Sequence, residues 1–159
     1  MKLPYDVKQQ GETYRFHSDF GIYYSIEFTD GGIYFFDLPV HIPIYEFSIK
    51  VLHLGGHLSP PKDDRIEITI VSILTRFFED NTNSLIYVCD NLDKKQHARH
   101  RKFSRWFNNH TIAQLQKYDT YFVVEEIEIL ASLILHEENP FKNELIELFI
   151  GQSDNYIDK

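Results

Sequence analysis

Between residues 94 and 105 the chain carries Lys94, Lys95, Arg99, Arg101, Lys102 and Arg105, with no acid among them. Six cations in twelve residues can do one kind of chemistry unaided: they hold an anion, a phosphate above all, by charge and hydrogen bonding. Set at 100° per residue, as in a helix, residues 94–109 separate into two sides. Phe103, Trp106 and Phe107 centre one side, flanked by Arg99 and His100, while Lys94, Ala98, Arg101, Lys102 and Arg105 gather on the other. The aromatic side is expected to anchor the segment, which makes the ridge Lys94, Arg101, Lys102 and Arg105 the candidate ligand-binding site. Like charges three and four residues apart repel by a few tenths of a kcal/mol per pair, roughly, unless an anion lies across them.

Three partners compete for that ridge. The first is the protein's own acids, Glu125, Glu126, Glu128, Glu137 and Glu138, or solvent alone. The second is nucleic acid, held by phosphate contacts. The third is an acidic protein, a further copy of this chain included, which would make a homo-oligomer.

Other constellations are thinner. Asp90 and Asp93 stand where an apolar strand meets the basic helix, a position from which carboxylates could hold a divalent ion for phosphodiester cleavage; the bland reading is a turn aspartate and a helix cap. His53-Leu54-Gly55-Gly56-His57, with His41 nearby, brings imidazoles together around a loop, but zinc wants three or four ligands and no second cysteine or HExxH accompanies them. His97 and His100 sit among cations that oppose both protonation and metal capture, leaving them as extra donors. Arg105 and His110 have an R-x4-H spacing used by some helical RNases, with Trp106 where a polar residue would be wanted. Cys89, the single cysteine, follows Tyr87-Val88 in a buried-looking strand and reads as an inert core residue. No phosphate-cradling glycine loop and no G-x-S-x-G elbow occur. No cofactor and no metal are expected.

Charge sharpens the picture. The chain is 159 residues long with a net charge of −8, so the +6 of residues 94–105 leaves −14 on the remainder. The bulk field therefore opposes a polyanion, and only a focused contact overcomes it. Hydrophobic residues at 43% are enough for a packed core, which excludes wholesale disorder. A lone cysteine fits a reducing compartment, and the longest apolar run, Ile129 to Leu135, is too short to cross a membrane. The expectation is a cytoplasmic protein with no membrane partner.

These residues must be positioned by a recognisable series of elements. Tyr14 to Phe16, Ile22 to Phe28, Ile33 to Leu38 and Ile44 to Leu52 read as a four-stranded meander, separated by turn residues at 18–21, 30–32 and 39–43. Asp63 or Asp64 can cap a helix whose Ile66, Ile70, Ile73, Leu74, Phe77 and Phe78 recur at three and four. Leu85 to Cys89 is a strand, and Asp93 would cap the basic helix. Residues 120–136 fit a helix or two strands, with two strands preferred. Asn139-Pro140 opens a last helix that Gly151 would end. Twelve aromatics precede residue 48; the alternation puts most in the core, with Tyr23 and one of Tyr34 or Phe35 outward, too few for a base-stacking platform.

The strand ending Cys89-Asp90, then Asp93, then Arg99-x-Arg101-x-Phe103-x-x-Trp106-Phe107, and later Asn139-Pro140, resembles a family of short bacterial proteins of unknown function, found mainly in Bacteroidetes. The resemblance implies an α+β order over most of the chain and strands over 120–136; it carries no catalytic residue across. The expected fold is therefore α+β: a mainly antiparallel sheet, four strands then about three, packed against three helices in the order β4-α-β-α-β2-α. It forms one domain over residues 1–151 with a frayed tail at 152–159. The expected role is a non-enzymatic binding or interaction module that presents a basic helix to an anionic ligand or acidic partner. The alternative is a metal-dependent nuclease or phosphatase-like enzyme using Asp90 and Asp93.

Overall fold

The alternation of Tyr24, Ile26 and Phe28 with Ser25 and Glu27 gives one strand two unlike faces, and the whole sheet is organised by that difference. The computed structural model describes residues 2–35, 37–89, 94–110, 114–124 and 126–157. Its strands are β1 (Lys8–Gln10), β2 (Thr13–His17), β3 (Tyr23–Asp30), β4 (Tyr45–His53), β5 (Ser84–Cys89), β6 (Leu115–Val124) and β7 (Ile127–His136), and its helices α1 (Asp64–Phe77), α2 (Gln96–Asn109) and α3 (Lys142–Ile157). The seven strands form one sheet in the order β1-β2-β3-β4-β5-β7-β6, antiparallel throughout except where β4 meets β5. The fold is α+β, as the pattern of elements predicts.

Two cores lie on opposite faces. On one, Phe16, Tyr24, Ile26, Phe28, Phe47, Leu85 and Tyr87 pack under Ile66, Ile70, Ile73 and Phe77 of α1 and Phe103 of α2. On the other, Ile86, Ala131, Leu133 and Leu135 pack under Leu145 and Phe149 of α3. Period two in β5 and β7 thus feeds both cores, which is why these strands read as nearly continuous apolar runs. Asp63 caps α1 by accepting a hydrogen bond from the Arg65 amide at 3.0 Å.

Three expectations need correction. Of residues 33–38, those the structure describes are not in a strand. The Asp30 carboxylate accepts from the Gly32 amide at 2.9 Å and closes a turn that passes into a 3-10 turn at Gly32–Tyr34, and Asp37 has φ of 56°. The meander's fourth strand is instead the short β1, hydrogen-bonded to β2 through Lys8 to Gln10. The basic helix begins at Gln96, not after Asp93, so Lys94 precedes it in a left-handed conformation (φ 59°) and is no part of the helical ridge. The last helix runs through Gly151 to Ile157: glycine costs about 1 kcal/mol in a helix interior but does not by itself stop one. Residues 120–136 do contain two strands, β6 and β7, joined in a tight hairpin.

Candidate anion-binding cleft

β4 and β5 run parallel, but only Tyr45–Leu85 and Glu46–Ile86 pair, after which the ladder ends. Parallel strands place the starts of their following helices at the same end, and in open sheets that end is where ligands collect. Here a cleft of about 850 Å³ opens between them. Ile49 and Val51 of β4 and Tyr87 of β5 line its base, Pro60 to Asp64 and Glu67 one wall, and Arg99, Lys102, Arg105 and Trp106 of α2 the other.

The acidic groups of the cleft are engaged inside the protein. Asp63, besides capping α1, accepts from the Tyr5 hydroxyl at 2.7 Å. Asp64 pairs with Lys2 at 2.8 Å, and the Lys2 hydrogen bond holds its carboxyl below the usual carboxylate range. Glu67 lies 3.0 Å from His110 Nε2. On the other wall Arg99 has contacts of its own. Lys102 stands 5.2 Å above the Trp106 ring, and among the described residues no carboxylate comes within ion-pair distance of Lys102 or Arg105. Burial pushes the Tyr24 and Tyr87 phenols up, so both stay protonated and able to donate at neutral pH.

The four sequence-derived ridge residues are divided by the fold. All four are exposed, but only Lys102 and Arg105 line the cleft; Arg101 stands on α2 outside its lining and Lys94 precedes the helix. The anchor side is as expected for Phe103, which is buried, whereas Trp106 and Phe107 are only half-buried and Trp106 contributes to the cleft wall. Among the described residues the acids nearest α2 meet its histidines, leaving Arg101, Lys102 and Arg105 aside. His97 meets Glu128 at 2.7 Å, and His100 lies 3.3 Å from Ser132 Oγ and 3.5 Å from Asp119.

The remaining candidates have other work. His53 Nδ1 accepts from the Gly55 amide at 2.9 Å, His57 Nε2 is 3.1 Å from the Phe20 carbonyl, and His41 meets the Phe141 ring edge-on. Among the described residues no three His, Cys, Asp or Glu side chains gather as a metal site. Asp90, Asp93 and Glu125 lie outside the described residues. Cys89 is buried. No helix among the described residues is long and apolar enough to cross a membrane.

Sequence reasoning missed the opposite wall. In the sequence Asp63 reads only as a helix cap, and the facing of residues 60–63 and α2 depends on a contact across more than thirty residues of chain. The one local signal was the placement of two prolines and a lysine immediately before a helix N-terminus.

A family model, described as a family of unknown function (DUF6169), matches residues 62–150. No curated protein and no solved structure matches the chain.

Proposed function

The chain belongs to this family of unknown function, and from the geometry of its cleft we propose that it is a non-enzymatic binding module that takes up a small anionic molecule against the basic helix. One observation carries the reading: Lys102 and Arg105 on the α2 wall have no described carboxylate partner, while on the facing wall Asp64 pairs with Lys2, Asp63 accepts from the Tyr5 hydroxyl and Glu67 lies beside His110. The cleft is lined by four cations, Lys62, Arg99, Lys102 and Arg105, against three carboxylates, Asp63, Asp64 and Glu67, so its charge favours an anion. Two cations converging on one recess hold a single anion better than the same charges spread along a ridge.

A long polyanion fits less well. It would have to approach against −14 elsewhere on the chain, and Lys94 and Arg101 do not share the cleft with the other two cations. The test is titration of wild-type protein and the Lys102→Glu/Arg105→Glu double variant with inorganic and organic phosphates at low salt, followed by thermal shift. Wild type should gain stability in proportion to ligand and the variant should not, with the same far-UV circular dichroism for both. An equal gain in the variant would place the site elsewhere.

A further inference from the structure

Between Lys102 and Arg105 and the wall that carries Lys62, Asp63, Asp64 and Glu67, the cleft has an apolar floor and lip. Ile49 and Val51 form its base, Pro60 and Pro61 its lip, and Trp106 stands beside the cations. Val51 is 42% exposed, although β-strand neighbours on the same face, such as Phe47 at 1%, are buried. This apolar surface is in water beside unpaired positive charge. A phosphate ion or a sugar phosphate would satisfy the charge and leave it wet. The volume, about 850 Å³, lies in the range that encloses a whole organic molecule, far more than one anionic group needs.

Resting on the anion-binding reading above, we propose that the ligand is amphipathic: one phosphate or carboxylate group held by Lys102 and Arg105, and an apolar body laid along Val51, Ile49 and Trp106. Charge fixes the head and burial of the body supplies most of the affinity. Burying two methylene groups corresponds to roughly a tenfold tightening. Trp106 is the only tryptophan of the chain, so its emission reports directly on whether the body arrives beside it.

Inorganic phosphate, octyl phosphate and octanol, each titrated calorimetrically and by tryptophan emission, decide the matter. Octyl phosphate should bind at least tenfold tighter than inorganic phosphate and shift the emission. Lys102→Glu/Arg105→Glu should abolish both phosphate interactions, and Val51→Ser, at an exposed site, should weaken octyl phosphate about threefold while leaving inorganic phosphate unchanged. Equal affinity of the two phosphates would overturn the amphipathic ligand and leave the anion site standing. Octanol binding as tightly as octyl phosphate, insensitive to the charge variant, would overturn both, and so would the absence of binding by all three.

Discussion

The ring of Phe103 lies 4.4 Å from that of Tyr87 and 5.7 Å from that of Phe47, centroid to centroid. One side chain of α2 therefore ties together β4 and β5 on the face where their ladder has already ended. It also sets the height at which Lys102 and Arg105 stand over the cleft.

Removing that ring should be costly. Phe103 is 3% exposed, and Phe103→Ala is expected to lose about 3–5 kcal/mol in urea unfolding, with Phe103→Leu losing clearly less. Anion binding should weaken in the alanine variant although both cations remain. A loss under about 1 kcal/mol would mean that α2 is seated by other contacts.

Gly55 presses on the turn between β2 and β3. A Cβ there would come within 2.5 Å of the Gly21 carbonyl oxygen, and the residue has φ of +60°. Gly55→Ala is thus expected to cost more than Gly56→Ala, which has positive φ but open space around it. The difference should be at least about 1 kcal/mol, measured by thermal unfolding, because a backbone atom must move in the first case and none in the second.

Stability should fall with acidity in two steps. Burial holds the His100 imidazole below its ordinary value of 6.5, against the opposing pull of Asp119. Such a group stabilises fully above the unfolded value, and the contribution is lost as pH drops below 6.5 towards the folded value. For Asp119 burial raises the carboxyl, but hydrogen bonds from Lys117 and Ser132 and the charges of Lys117 and His100 outweigh it and hold it below 3.8. That second contribution is present above 3.8 and lost below it. Urea midpoints from pH 8 to 3 should show both declines, and His100→Gln should flatten the upper one and, by removing one of the charges that lower Asp119, reduce the lower one in part. An unchanged upper decline in that variant would assign it to another group.

Asn139 joins the start of α3 to the start of β5. Its Nδ2 donates to Ser84 Oγ at 2.8 Å and to the Thr82 and Asn83 carbonyls at 3.3 Å, and its Oδ1 accepts from the Phe141 amide at 2.8 Å. Asn139→Ala leaves the buried Ser84 hydroxyl and three part-buried backbone groups without this partner and should cost about 2 kcal/mol by guanidinium unfolding. Asn139→Asp should be no better, since it keeps the acceptor for the Phe141 amide but loses the three donated contacts.

Arg101→Glu separates the ridge from the cleft. No described carboxylate pairs with Arg101, so its reversal should change stability by no more than about 0.5 kcal/mol and leave octyl phosphate binding within about twofold at moderate salt. A loss as large as that of the Lys102→Glu/Arg105→Glu variant would return the binding surface to the open ridge.

The amino-acid pattern alone determined the features that repeat locally. Period two marked Tyr24 to Phe28 and Tyr45 to Val51 as strands, spacing of three and four marked α1, and the run from Lys94 to Arg105 announced a basic helix anchored by Phe103. Where a side chain overrides the local period, that pattern misled: Asp30 bends a strand-like stretch into a turn, and Lys94 takes a conformation outside the helix. Only the tertiary structure decided which cations share a cleft, that β4 and β5 pair at just two positions, and that Asp119 and Glu128 engage histidines of α2 and Glu67 the His110 that follows it. Those contacts join residues tens of positions apart, and a contact between distant segments leaves no periodicity in the chain to be read.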